Sequence, residues 1–491
     1  MARLTATWLH PDRARGPATL DDVASPRVVD PAGVVLTGAE LDAAGARLAG
    51  SLRHRGVGRG DAVAWPAANH WPTLALYRAC WRLGAVAVPL HHQAGPAEIE
   101  GLLARIKPAL VVDPDEVPAL IETGEAVPPG VARPDDLAVV LHTSGSSGEP
   151  KGVLHTHAGL AAKASLMTSV HQLGSGDTIL MPAPMAHISG LQNGLTVVGA
   201  AGMTVVLMPR WDPEQALALI EAHRVTFMIG PPTFFVSLRH AAGFTPRRVR
   251  TIRLISCGGA GVTPAFVTET AAAFDATVKR TYGSTEAPTV TTSHAGDDPE
   301  RALTTDGRPT GGVRLRLGPG GEVWVRGPEL FVGYADAART AESVTNGWFR
   351  TGDVGTLDAA GWLTIVGRIK DLIVRGGENI SAAEVEATLE AHPQVRQAVA
   401  VGEADERLGE RVCAFVVCAP GATFDLDSCR AWFAERGLAR FKTPERVVSV
   451  DEFPLLSAGK VDRDAMRACA ASLAGWPSGG GPHGGAGGGA P

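Results

Sequence analysis

The run Thr143-Ser144-Gly145-Ser146-Ser147-Gly148-Glu149-Pro150-Lys151-Gly152 gathers hydroxyls, glycines and one ammonium in a short stretch. That mixture suits phosphate. Bare glycine backbone lets an anion approach, N–H and O–H groups donate to its oxygens, and Lys151 supplies charge. It is not a Walker A loop, because two residues separate Gly148 from Lys151 and glycine follows the lysine. A Ser/Gly surface linker would have the same composition. The strand-like Leu137-Ala138-Val139-Val140-Leu141 just before it and the lysine after it favour a phosphate cradle. Lysine is scarce in a chain whose positive charge is mostly arginine, and a compact ammonium is what phosphate chemistry often uses. No H-E-x-x-H pattern is present, and the 6 cysteines are too few and too irregular for a disulfide scaffold. Cys413 and Cys418 flank apolar residues, as strand packing would have them, so no cysteine stands in a motif as a nucleophile.

Other motifs follow in order: Pro184-Met185-Ala186-His187, Gly258-Gly259-Ala260, Tyr282-Gly283-Ser284-Thr285-Glu286, Thr351-Gly352-Asp353, Gly367-Arg368-Ile369-Lys370-Asp371, and Pro454-Leu455-Leu456-Ser457-Ala458-Gly459-Lys460. With the phosphate loop they resemble the acyl-adenylate-forming (AMP-binding) superfamily of acyl-CoA synthetases, luciferases and peptide-synthetase adenylation domains. The resemblance covers nearly the whole chain, and so many motifs in order are far more specific than any one alone.

The resemblance implies that a carboxylate joins the α-phosphate of ATP and expels pyrophosphate. Two anions must meet, so charge neutralisation and positioning should supply most of the acceleration. Lys460 matches the lysine that bridges carboxylate and α-phosphate; an isolated lysine would instead read as a solvated surface group. Thr143, Ser144, Gly145, Ser146, Ser147, Gly148 and Lys151 are implied to hold the ATP phosphates. Gly258, Gly259, Ala260, Tyr282, Gly283, Thr285, Asp353 and Arg368 are implied to hold the adenine and the rest of AMP. Glu286, with Thr143, matches the Mg²⁺ position, where few protein ligands are needed because phosphates and water supply the rest. Taken singly, Glu286 could be a helix-start carboxylate, Tyr282 a core aromatic and Asp353 a turn former. His187 matches a catalytic gate on the acid pocket, for which Met185, His187, Gly230, Thr233, Gly259 and Gly283 are the expected lining. Lys370 falls at the hinge. Arg375, Gly376 and Gly377 would line a coenzyme A channel, although two adjacent glycines equally suit a tight turn.

The His187 segment carries no acid to hold an α-ammonium, so an apolar acid fits better than an amino acid. Trp211-Asp212-Pro213 and Met228 to Phe235 look similar to ligases for cyclohexanecarboxylate and related acids. The expectation is an ATP-dependent acid–CoA ligase for a small-to-medium alicyclic, aryl or aliphatic monocarboxylate, with CoA as co-substrate. The short run from Thr351 to Arg368 leaves no room for the insertion of fatty acyl-AMP ligases that feed carriers. An acyl-AMP ligase loading a carrier-protein phosphopantetheine is the alternative, and a non-catalytic adenylate-binding regulator is the alternative of another class.

Positioning these residues requires an α/β fold: a large N-terminal domain of mixed sheets with helices, plus a small mobile α+β C-terminal domain. Apolar runs at Ala85–Val88, Leu137–Leu141 and Thr204–Leu207 alternate with helical stretches such as Pro213–His223. The expected division is 1–369 for ATP and acid binding, 370–476 for the catalytic lysine and CoA channel, and a flexible Gly-rich tail at 477–491. In the second domain Ser381-Ala382-Ala383-Glu384 reads as a capping box opening a helix that stops before Pro393. Strands are expected at Val395–Val401, Val412–Val417 and Arg446–Val450, and a helix near Asp427–Arg436.

Composition bounds the rest. Lys+Arg 45 against Asp+Glu 51 gives a net charge of −6, without the basic surplus a nucleic-acid coat needs. No stretch reaches the ~20 apolar residues of a membrane helix, and the N-terminal residues lack the apolar core of a secretory signal. A cytoplasmic enzyme is expected, with no nucleic-acid partner and no integral membrane segment; the reading leaves room for a homodimer.

Overall fold

Short apolar runs become parallel strands. β1 (Ala62–Pro66), β2 (Val86–Leu90) and β3 (Leu137–Thr143) lie side by side in parallel, with Leu110–Val111 on the free edge of β1. β4 (Lys151–Thr156) returns antiparallel to β3, setting Thr143 opposite Lys151. Nearly every residue of β1 and β2 is buried, as expected of strands covered on both faces. Thr156 then caps α1 (His157–Val170) by accepting from the Gly159 amide. This computed structural model describes residues 4–6, 18–143, 150–259, 261–455 and 461–473, apart from the Asn379 side chain.

β5 (Thr178–Met181), β6 (Thr204–Leu207), α2 (Pro213–His223), β7 (Phe227–Gly230), β8 (Leu254–Gly258) and β9 (Thr277–Tyr282) continue the alternation. They build a 9-stranded sheet in the order Arg308–Pro309, Thr291–Thr292, β9, β8, β7, β5, β6, Arg27–Val29, Val35–Leu36. Its middle strands are parallel and its outermost pairings antiparallel. α2 begins where Asp212 accepts from the Gln215 amide and Pro213 enters at the first turn, which is why its bounds were legible in advance.

Contacts divide the chain into two units. The first is Met1–Arg316, Trp324–Thr351 and Leu357–Thr364; the second is Leu317–Val323, Gly352–Thr356 and Ile365–Pro491. The second contains β10 (Leu372–Arg375), β11 (Glu378–Ser381), α3 (Ala382–Glu390), β12 (Val395–Asp405), β13 (Gly409–Cys418), β14 (Arg446–Ser449) and α4 (Arg463–Ser472). Its sheet runs β11-β10-β13-β12, with β14 parallel to β13.

Two local expectations need correcting. Ser381 does accept from the Glu384 amide, but Glu384 does not complete a capping box; its carboxylate pairs instead with Lys442 Nζ at 2.6 Å. β12 and β13 also run past their apolar stretches. Glu403 lies opposite Arg411 and takes both Arg411, at 2.6 Å, and Arg446, at 3.1 Å, so cross-strand charge carries the ladder onward. Among the described residues no helix is long and apolar enough to cross a membrane.

Candidate active site

The β3–β4 hairpin delivers the first pair of site residues. Thr143 ends one strand and Lys151 starts the other, so the two face each other at the mouth of the loop that joins them. Ser144, Gly145, Ser146, Ser147 and Gly148 of that loop lie outside the described residues, as do Ala260 and Lys460. The segment around Phe331–Ala335 runs beside β4: Leu154 N donates to Gly333 O and Ala335 N to Gly152 O. Tyr334 is thereby brought under Lys151, whose ammonium lies 5.6 Å from the ring centroid.

Tyr334 also reaches the next motif. Its hydroxyl donates to Glu286 Oε1 at 2.7 Å, and burial together with that carboxylate pushes the phenol well above its ordinary pKa. The Glu286 carbonyl accepts from Phe331 N at 2.9 Å. His155, on β4, hydrogen-bonds the Thr285 carbonyl through Nε2 at 2.8 Å. Burial holds its pKa down at about 4, so at neutral pH the ring is an uncharged donor. Lys151, Thr285 and Glu286 thus share one neighbourhood, tied by two residues, Tyr334 and His155, that motif reading passed over.

The Tyr282–Glu286 turn is pinned at both ends. Val290 N donates to Tyr282 O at 2.7 Å, and Ser284 N to Ala287 O at 2.9 Å. Gly283 has no room for a side chain, since a Cβ would sit 2.5 Å from Thr289 N. On the neighbouring strand, a Cβ at Gly258 would sit 2.1 Å from Thr281 O, and Gly259 holds φ at 79°, a left-handed value that glycine adopts freely.

The residues expected on the acid side cluster separately. Asn69 follows β1; its amide donates to Met181 O, Ala183 O and Met208 O, and its carbonyl accepts from Met185 N at 2.9 Å. Tyr77 Oη donates to Met185 O at 2.7 Å. Met185 is fully buried, and His187 begins the helical stretch Ile188–Ala200, whose middle, Gln192–Thr196, is π-helical. The His187 ring stands 5.4 Å from that of His91, which stacks on His92 at 5.1 Å; burial lowers the pKa of both His91 and His92. Gly230 leaves space for Phe234, which stacks on Trp211 at 4.2 Å beside Thr233.

In the second unit Arg368 Nε donates to the buried Asp353 Oδ1 at 2.6 Å. Lys370 sits in a 3₁₀ turn, Ile369–Asp371. Gly376 and Gly377, with φ of 58° and 91°, form the two-residue turn between β10 and β11. Positive φ at both positions is what that turn demands, so hairpin geometry alone accounts for the pair. Arg375 is held by Glu445 at 2.5 Å. The segment with Lys460 is bounded by Leu455 and Val461, which bridge antiparallel, and Asp462 N donates to Pro454 O at 2.8 Å.

Known proteins share this family and this fold. Residues 19–335 match the AMP-binding enzyme family model, and 384–460 match that of the AMP-binding enzyme C-terminal domain. The chain is 32% identical to the medium-chain fatty-acid–CoA ligase of Escherichia coli K12, over 90% of this chain and 87% of that one. It is 34% identical to a feruloyl-CoA synthase of Amycolatopsis, over 89% and 94%. The crystal structure of ATP-bound MatB from Rhodopseudomonas palustris superposes with a TM-score of 0.84 at 28% identity, covering 91% of this chain and 96% of that one. The family-model match over residues 19–335 and relatives 32–34% identical along nearly the whole chain make it a member of the AMP-binding, acyl-adenylate-forming enzyme family.

Proposed function

We propose that the chain is an ATP-dependent acid–CoA ligase acting on an apolar monocarboxylate of small to medium size, alicyclic, aryl or aliphatic. In the first half-reaction a carboxylate oxygen bonds to the α-phosphorus and the bond to the β-phosphate bridging oxygen breaks, releasing pyrophosphate. In the second the CoA thiolate attacks the acyl carbonyl and AMP leaves. The observation that carries this reading is the Lys151–Tyr334–Glu286 constellation, which sets a phosphate-seeking cation and a held carboxylate around one ring.

In this reading Thr143, Lys151 and the intervening loop bind the phosphates, Tyr282 and Gly258–Ala260 the adenine, and Asp353 with Arg368 the ribose side. Among the described residues no group of three His, Cys, Asp or Glu could hold a metal alone. A Mg²⁺ site that shares its ligands with phosphates and water needs only one such carboxylate, and Glu286, with one oxygen fixed by Tyr334, fits. Mg²⁺ would offset charge on the phosphate oxygens as pyrophosphate departs. His187 gates the acid pocket that Met185, Gly230 and Thr233 line. The division at 369/370 makes Lys370 the hinge of a C-terminal domain in which Lys460 serves adenylation and Arg375–Gly377 serve the CoA channel. The two family models match on either side of that division, at residues 19–335 and 384–460.

The test is pyrophosphate release over a panel of acids, with CoA and a phosphopantetheinyl carrier supplied side by side. Apolar monocarboxylates with CoA are expected to turn over fastest; preference for amino acids or dicarboxylates, or for the carrier, would overturn the assignment. In the same assay Lys460→Ala is expected to lower acyl-AMP formation at least ~100-fold while sparing transfer from supplied acyl-AMP.

A further inference from the structure

α1 carries a lysine that the mechanism does not use. Lys163 is 1% exposed, yet an apolar side chain of similar length would fill the same volume without the cost of desolvating an ammonium. Its Nζ donates to Thr289 O at 3.1 Å and to Thr310 Oγ1 at 3.3 Å. Thr310 Oγ1 donates to the same Thr289 carbonyl at 2.7 Å, and the Thr310 amide to Val290 O at 3.0 Å. Burial lowers the ammonium to about 8, opposed by the buried Glu329, so it remains charged at neutral pH.

The residue it grips is strained. Thr289 has φ of 42° and is the one β-branched side chain among the described non-glycine residues with positive φ. Such backbone persists only where its surroundings impose it, and it concentrates at functional sites. Thr289 packs its amide under Gly283, where a Cβ would come within 2.5 Å, and the next residue, Val290, closes onto Tyr282 O.

We infer that Lys163 is a positioning residue for nucleotide binding: its buried ammonium holds Thr289 in left-handed geometry, and Thr289 sets the turn that carries Tyr282, Gly283, Thr285 and Glu286. A charged donor makes the stronger bond to a carbonyl, which is the reason to bury lysine here. The inference rests on the reading of that turn as the nucleotide site.

The experiment measures ATP–pyrophosphate exchange on the full chain for Lys163→Met, Thr289→Gly, the double variant and Glu286→Gln. Lys163→Met is expected to raise the KM for ATP about ten- to a hundredfold, with the KM for the acid changing less than about twofold. Glycine tolerates positive φ without help, so in the Thr289→Gly background the same lysine change should cost less than about threefold. An unchanged ATP KM, a parallel rise for ATP and acid, or an undiminished penalty in the glycine background would each refute the inference. If Lys163→Met fails to fold, a folded double variant supports the inference and an unfolded one refutes it. Loss of exchange in Glu286→Gln beside an unaffected Lys163→Met overturns this inference alone; wild-type exchange in Glu286→Gln overturns the nucleotide-site reading and the inference with it.

Discussion

Tyr334, which joins Glu286 to Lys151, is a residue that motif reading missed, and the reason is distance. It lies 48 positions from Glu286, at the end of the apolar run Leu330-Phe331-Val332-Gly333 that matches none of the motifs. A usable signal was there in the composition. The chain has 13 phenylalanines and 10 tryptophans but 3 tyrosines, so a phenol is the rarer aromatic and its hydroxyl the feature to follow. Tyr77 spends its hydroxyl on Met185 O and Tyr334 on Glu286. Tyr334→Phe keeps the ring beneath Lys151 and removes only the O–H. A hydrogen bond to a charged group contributes about 1.5–3 kcal/mol, so the step that uses Glu286 should weaken by roughly ten- to a hundredfold. Titrating Mg²⁺ and ATP in the exchange assay checks this: both requirements should rise while the acid KM holds, and an unaltered Mg²⁺ dependence would separate Tyr334 from the Mg²⁺ role proposed for Glu286.

Among the elements, the sequence was most transparent where pattern and punctuation coincide. Asp212-Pro213 opens α2, and Asp358 to Gly361 turns the chain between the strands Trp348–Leu357 and Leu363–Arg368. It was least transparent where a side chain has two partners to choose from, as Glu384 does between its own helix start and Lys442. Asn69 shows the same limit at the acid side. Its one amide gathers the chain after β5, the Met185 segment and the chain after β6, residues 112 to 139 positions away, which no local pattern reveals. Asn69→Ala takes the side-chain partner from the buried Met185 N and Met208 O and from the half-buried Ala183 O, while Met181 O keeps Met208 N at 3.1 Å. A loss of about 2–4 kcal/mol is expected, seen as a fall in melting temperature of several degrees, with the acid KM rising more than the ATP KM because the loosened segment leads into His187. Equal changes in the two constants would place Asn69 in general stability and not at the pocket.

At the scale of the whole chain, both units bury paired charge; in the first, Arg280 holds Asp306 at 2.9 Å. In the second, α3 and α4 meet through a network: Glu386 Oε2 accepts from Arg463 Nη2 at 2.7 Å, Glu386 Oε1 from Ala400 N at 2.8 Å, and Arg467 pairs with Asp371 beside Lys370. Among the described residues no cation pairs directly with Glu390, although the Arg463 charge acts on it and lowers its pKa somewhat. It accepts from Ala398 N at 3.1 Å, and burial, reinforced by Glu386, raises its pKa from 4.5 to about 8. An acid whose pKa rises on folding binds its proton more tightly in the native than in the unfolded chain. Its contribution is therefore fully present below about pH 4.5 and is lost as pH climbs through about 8. Glu390→Gln mimics the protonated acid at every pH. The variant should match the parent near pH 5 and melt roughly 2–4 °C or more above it at pH 8, where the parent must bury a carboxylate or take up a proton to fold. Because α4 directly follows the segment with Lys460, the same variant should also extend adenylation to higher pH. Calorimetry and the exchange assay at pH 5 to 9 check both; a constant difference in melting temperature across that range would mean that Glu390 does not titrate with folding.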